Sequence, residues 1–402
     1  MTTIEWTHVP DGHGGRKKGE TCNPQVGCSE KSPGCRNCYA ARVAARGMTK
    51  HHRGLTLLRS NGPHWNGEIA RAPDQLEKPL RWREPRGIFW GSMTDLFHES
   101  TMATEDGRRN IAACFGVMAV TRQHTHMVLT KRPALMREWF KWLERAAENY
   151  WLCKGSHGQA MTSDKIWRWL GHCVSEVIEA DIWRDAIRKA KRSGGVGVSV
   201  WPLPNVWVGT TTEDQQRADE RVPELLHVPA AVRFLSAEPL LGPVVIPEAF
   251  FRGPKAGPES IRGRRWVIAG GESGPGARPM HPDWPRAIRN QCRDAGVPFL
   301  FKQWGEYAPW ITEAWFTHGG EEKHAHTWVA RDGTVGACWI YDDDGTWSNW
   351  TGDPPSVTLV DPEDSSVEEV LDVAVMSKIG KGKSGRELDG RTWDEFPEVT
   401  TA

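Results

Sequence analysis

The stretch "NVWVGTTTED", residues 205–214, carries the plan of the fold. Val206, Trp207 and Val208 form an unbroken apolar run, which suits a strand covered on both faces rather than one with a wet side. The run ends in threonines and the acidic pair Glu213 and Asp214, and a helical pattern, "DQQRADERVPELLH", follows directly. Five other stretches repeat this order: "GIFWGSMTD" (87–95), "HMVLTKRP" (126–133), "VRFLSAEPL" (232–240), "WVIAGGESG" (266–274) and "PFLFKQWGE" (298–306). Helical patterns such as "EDGRRNIAACFGVMAVT", "ALMREWFKWLERAAENY" and "WPRAIRNQCRDAG" lie between them. With "IEW" (4–6) taken as a first strand, the alternation predicts an α/β fold. It is a partial or full parallel (β/α) barrel of about six to seven units, with an open doubly wound sheet as the alternative.

The barrel is expected over residues 1–305, interrupted by a helical insertion at about 151–200 that closes on "SGG". Within it Trp167, Trp169, His172 and Cys173 read as a packed face rather than a ligand pair. The alternation stops after Gly305, and residues 306–402, rich in Trp, Asp and Gly, read as a small strand-rich appendage. The basic run "KIGKGKSGR" (378–386) there reads as a solvated loop, with a phosphate-contacting clasp as the other possibility.

Charge gives little away, because 51 Lys and Arg balance 51 Asp and Glu over 402 residues, so any contact with nucleic acid has to be local. No apolar run approaches the ~20 residues of a membrane helix. An odd count of nine cysteines and no signal-like opening point to reduced thiols and a cytoplasmic protein. The 22 tryptophans are spread along the chain and read mainly as packing.

In a parallel barrel, function sits where strands run into βα loops. Those ends supply Asp95 and His98, Lys131 and Arg132, Glu213, Ser236 and Glu238, Gly270, Gly271, Glu272 and Ser273, and Lys302 and Gln303. Any one of them suits a cap or a turn. Six polar ends in sequence outline a pocket for a charged, hydroxylated ligand. Cys28, Cys35 and Cys38 are spaced C-x6-C-x2-C in the loop after the first strand, which puts three thiols at the same rim. Three thiolates suit three irons of a 4Fe-4S cluster and leave one iron open, whereas a structural zinc prefers four ligands, and Cys22 is placed to be the fourth. Spacing alone leaves iron-sulfur and zinc side by side.

The motifs "TIEWT", "NPQVGCSEKSPGCRNCYA", "IFWGSMTDLFH", "LTKRP", "NVWVGTTTEDQQRADER", "VRFLSAEPLLGPV", "WVIAGGESGPGARPM", "QCRDAGVPFLFKQWG" and "GRELDGRTWDEFP" run in order from residue 3 to 397. Together they resemble the phage-associated family designated domain of unknown function 5131. That family is similar to radical S-adenosylmethionine proteins, most closely those of the spore photoproduct lyase type. The resemblance implies a 4Fe-4S cluster on Cys28, Cys35 and Cys38 and S-adenosylmethionine as the ligand of its fourth iron. It also implies a nucleic-acid or nucleotide-derived substrate, an electron donor such as flavodoxin or ferredoxin, and, for a phage-encoded chain, the host cytoplasm. The usual spacing in such enzymes is C-x3-C-x2-C, so the first gap here is longer. By the same analogy, Gly270, Gly271, Glu272 and Ser273 would meet the methionine amine, Glu213 the ribose hydroxyls, and Lys131 and Arg132 the methionine carboxylate or a substrate phosphate. Glu238 and Lys302 are the catalytic candidates, with Gln303 beside them. The competing reading is a zinc-stabilised nucleic-acid-binding or adaptor protein without catalysis.

Overall fold

The computed structural model describes residues 4–154, 161–192, 200–252, 264–309, 324–330, 332–333, 335–340, 347–351 and 373–398. Its centre is one parallel sheet of seven strands: β1 (Lys18–Cys22), β2 (Arg86–Trp90), β3 (Thr125–Thr130), β4 (Val206–Thr211), β5 (Val232–Ala237), β6 (Arg264–Gly270) and β7 (Phe299–Gln303). The strands lie side by side in chain order, and β1 does not pair with β7, so the sheet is a half-barrel.

The apolar runs are continuous because each strand feeds two cores. In β4, Val206 and Val208 pack outward with the helices while Trp207 points inward; in β6, Val267 and Ala269 face out and Trp266 and Ile268 face in. The inner core stacks Trp207 edge-on against Trp266 at 5.6 Å.

The expectation for "IEW" is corrected. Glu5–Thr7 is a 3-10 turn whose Thr7 hydroxyl donates back to the Ile4 carbonyl, and it plugs the barrel interior, Trp6 lying 4.8 Å from Phe89 and 6.0 Å from Phe234. Glycine makes room for it, since a Cβ on Gly19 of β1 would overlap Thr7 Oγ1 and one on Gly87 of β2 would overlap the Thr7 carbonyl. The true first strand is the more polar "KGETC".

The first helix, α1 (Tyr39–Ala45), packs with the hairpin of residues 56–65 near the strand ends, and helices cover the outer face: α2 (Glu105–Val120), α3 (Pro133–Cys153), α4 (Thr162–Ser175), α5 (Ala180–Arg192), α6 (Gln215–Leu226) and α7 (Asp283–Asp294). Thr104 caps α2 by accepting from the Gly107 amide at 3.0 Å. The expected insertion supplies the end of α3 together with α4 and α5, which add a further layer on α2. Gly116 permits the close approach, because a Cβ there would press on Val174. Cys173 and Trp169 are buried and His172 stacks on Tyr150 at 4.8 Å, the packed face expected.

Past β7, Tyr307–Pro309, His324–Ala330, Val335–Ile340, Trp347–Thr351 and Val373–Lys378 form an antiparallel sheet. The chain then returns to the barrel. Phe301 N donates to the Trp393 carbonyl at 2.9 Å and the Trp266 indole to the Glu395 carbonyl at 2.8 Å, which covers the free edge of β7. The basic run docks on the same end, with Ser384 donating to the Gly305 carbonyl at 2.6 Å and Arg386 to the Lys302 carbonyl at 2.9 Å. No described helix is long and apolar enough to cross a membrane.

Candidate functional site

At the carboxyl ends of the strands lies a cavity of about 280 Å³. Its floor is apolar, with Ile4, Trp6, Phe89 and Leu129, and its wall carries Cys28, Cys35 and Cys38. Lys131, Arg132, Glu238, Gly271, Glu272, Ser273, Lys302 and Gln303 also line it, so most of the residues expected from the sequence meet in one place. Glu213 and Gly270 stand just behind the lining, Glu213 under Gly34 and Gly270 against Glu238. Cys22 does not join the three. It is fully buried at the end of β1, with its thiol donating to the Gln75 carbonyl at 3.3 Å.

The loop of residues 23–38 is long, yet three ionic clusters fix its place. The first centres on Arg132, which is only 3% exposed. It donates from Nε to Glu99 at 2.6 Å, from one terminal nitrogen to Asp95 at 3.1 Å and from the other to Ser29 Oγ at 2.7 Å. Asp95 also accepts from the Thr130 hydroxyl at 2.7 Å and the Lys131 amide at 3.0 Å. A guanidinium so occupied braces the loop and has no free fork to offer a ligand. Its nearer terminal nitrogen lies 3.9 Å from Cys28 Sγ.

In the second cluster Glu213, fully buried, pairs with Lys131 and stands 3.7 Å from Arg221. Burial alone would raise its pKa, but Lys131 and Arg221 outweigh it and hold the carboxyl below the ordinary range. A Cβ on Gly34 would overlap Glu213 Oε2, so the loop closes over this pair only because residue 34 is glycine.

The third cluster fixes the Gly-Gly-Glu element. Glu272 takes a two-pronged contact from Arg278, at 2.6 and 2.8 Å, and accepts from Asn37 Nδ2 at 3.0 Å. Arg278 also donates to the Pro33 carbonyl at 3.1 Å, which ties β6 to the cysteine loop. Sequence reasoning missed Asn37, Arg221 and Arg278. Asn37 adjoins Cys38, but its partner is 235 residues away.

On the opposite wall Lys302 Nζ pairs with Glu238 at 3.0 Å. Burial pulls the Lys302 amine down, and Glu238 with Glu5 more than offsets this, holding it above its ordinary value. Gln303 beside it is 3% exposed, and its Oε1 has no partner among the described residues.

The thiols differ in setting. Burial, with Asp95 adding to it, pushes the Cys28 thiol up to about 12, while Arg132 pulls the other way. Burial also raises Cys38, against the pull of the Ala41 and Ala40 amides and the Trp65 indole. Cys35, partly buried like the other two, faces the Lys31 amide at 3.4 Å. Among the described residues no three His, Cys, Asp or Glu side chains stand together as metal ligands. The donor set nevertheless suits a soft metal centre, and two partly buried thiols with raised pKa values are in a setting where a metal that replaces their protons relieves the desolvation cost.

The fold and cavity define a class: a parallel half-barrel whose strand ends carry a pocket roofed by a three-cysteine loop. Within it the chain belongs to the family described as protein of unknown function (DUF5131), whose model matches residues 1–397. No curated protein and no solved structure matches the chain.

Proposed function

We propose that the protein is a radical S-adenosylmethionine-type enzyme acting on nucleic acid or a nucleotide-derived substrate. The observation that carries this reading is the sharing of one cavity by Cys28, Cys35 and Cys38 while Cys22 is committed elsewhere, so the loop offers three sulfur ligands and not four. When bound, a 4Fe-4S cluster with S-adenosylmethionine supplies reductive cleavage of the sulfonium to a 5'-deoxyadenosyl radical. Cys28, Cys35 and Cys38 hold the cluster. Arg132 places cationic charge beside Cys28, where thiolate charge accumulates. Glu272, already ordered by Arg278 and Asn37, presents a carboxylate to an ammonium, and Ser273 stands next to it on the wall. The apolar floor of Trp6, Phe89 and Leu129 excludes water from the reacting centre. Glu238 and Lys302 remain for the substrate, with Gln303 Oε1 as an unfilled acceptor.

The test is anaerobic reconstitution followed by dithionite and S-adenosylmethionine. The expected result is about four irons per chain, a band near ~400 nm, and 5'-deoxyadenosine. Cys35→Ala abolishes all three, whereas Cys22→Ala keeps the iron. One tightly held zinc with no such band, lost in Cys22→Ala, would overturn the reading in favour of a structural metal.

A further inference from the structure

Every cation that lines the cavity is already paired with acid. Lys131 meets Glu213, Arg132 meets Asp95 and Glu99, and Lys302 meets Glu238. Arg278, just behind the wall, is closed on Glu272. The three thiols add only negative charge when they give up their protons to a metal. A phosphate drawn into this cavity therefore loses its water and meets no uncommitted cation in return.

The cysteine loop supplies what the cavity lacks. Ser29, Gly34 and Cys35 line the cavity, whereas Lys31, Pro33 and Arg36 line a depression that Arg59 and His64 complete from the hairpin Thr56–Arg59/Gly62–Trp65. Glu30 holds loop and hairpin together, since its carboxylate pairs with the buried His64 and lies 3.4 Å from Arg59. Acid is scarce here, because each carboxylate serves two groups: Glu30 serves His64 and Arg59, and Glu99 meets Lys31 at 3.1 Å while also taking Arg132 at 2.6 Å. The Arg36 side chain is exposed and has no partner among the described residues. The depression is thus left positive, and the exposed pair of Lys31 with Glu99 is cheap to exchange. Guanidinium forks match the oxygens of a phosphate.

We infer that this depression is a phosphate subsite and that the substrate is a phosphodiester strand, whose backbone phosphate rests on Arg36 and Arg59 while an uncharged base or sugar enters the cavity. The inference rests on the nucleic-acid half of the reading above and not on the cluster. Each part of such a ligand meets matching chemistry: the anion stays in water beside free cations, and the neutral group lies over the apolar floor of Trp6, Phe89 and Leu129. Alternate residues of one loop line the two sites, and no residue lines both. A ligand that uses both has to pass over the loop, which favours a chain over a single nucleotide.

The probes are fluorescent single-stranded DNA and RNA oligonucleotides of one sequence, titrated against the full chain over a range of salt, with a nucleoside monophosphate and inorganic phosphate as competitors. Arg36→Gln/Arg59→Gln is expected to weaken oligonucleotide binding about tenfold and to flatten the salt dependence by about 0.7 in log K against log salt, the release from one single-strand phosphate. Arg184→Gln/Arg188→Gln, which removes the same charge from exposed positions on α5, is expected to leave both unchanged, and melting temperatures are expected to hold in both variants. Absence of binding to either oligonucleotide, or equal losses in the two variants, would overturn the inference. Competition by inorganic phosphate or the monophosphate at the oligonucleotide's own affinity would also overturn it, by making the subsite one for a free anion. Iron content and 5'-deoxyadenosine formation, measured on the same wild-type preparation, keep the two proposals apart. Their presence without strand binding removes only the subsite, and strand binding that needs Arg36 and Arg59 in a chain that takes up no iron removes only the radical chemistry.

Discussion

The two ends of the half-barrel handle buried polar groups in opposite ways. Where the strands begin, main-chain carbonyls are the recurring partner. Asn205 donates to the Met118 carbonyl at 3.0 Å, Arg233 to the Val228 carbonyl at 2.9 Å and Arg265 to the Phe250 carbonyl at 2.8 Å. Where the strands end, charge is matched with charge: Arg132 with Asp95 and Glu99, Lys131 with Glu213, Arg278 with Glu272, and Lys302 with Glu238. Carbonyls arrive with the secondary structure, so the first end is complete once the sheet and helices form. The charge pairs join different loops, so the second end is complete only when the cysteine loop has closed. This matches the division of a barrel into a stability face and a functional face.

The sharpest way to break the comparison is to remove one arginine from each end. Arg132→Met leaves Asp95 buried without its cation and is expected to cost about 3–5 kcal/mol in urea denaturation. Arg265→Met gives up hydrogen bonds to neutral acceptors and is expected to cost about 1–2 kcal/mol. Equal costs would mean that the mouth is held no differently from the base.

Acid tests the base from the other side. His124 and His126 are fully buried there, and His126 Nδ1 accepts from the Trp90 indole at 2.9 Å. Burial drives His124 down to about 4 and His126 well below its ordinary 6.5. Both are therefore neutral when folded, while the unfolded chain takes up protons below about 6.5. Stability is then full above that pH and falls as the pH drops toward 4. At pH 5 the loss is about 2 kcal/mol per histidine. Denaturation midpoints at pH 7.5 and 5 give the measurement, and a flat profile would mean that these rings are not held neutral.

The same contrast explains what could be read from the sequence. Six strands were legible because they are apolar on both faces and stop at polar ends. β1 was not, since as an edge strand pairing only with β2 it keeps polar residues and a weak pattern. "IEW" has the residue types of a strand, but its inward packing depends on glycines in two other elements. At the site, strand-end chemistry located the residues without their pairings. Arg132 was visible as a cation at a rim, but nothing local shows that Asp95, Glu99 and Ser29 occupy it. Nor does the composition of the tail reveal that Trp393 and Glu395 return to cover β7.

That return supplies the smallest expected effect. Asp389, with φ of 55°, turns the hairpin formed by Glu387–Leu388 and Arg391–Thr392 and pairs with Arg286, at 2.7 Å, and Arg289 on α7. The pairing resembles that of Arg132 with Asp95, yet Asp389 is 37% exposed and water screens it. Asn tolerates the left-handed conformation, so Asp389→Asn removes charge and little else. The expected cost is below about 1 kcal/mol and vanishes near ~1 M salt. A loss as large as that of Arg132→Met would show that the tail, and not the cysteine loop, is the last piece needed to close the barrel, and the contrast would then lie between the sheet and its covered edge.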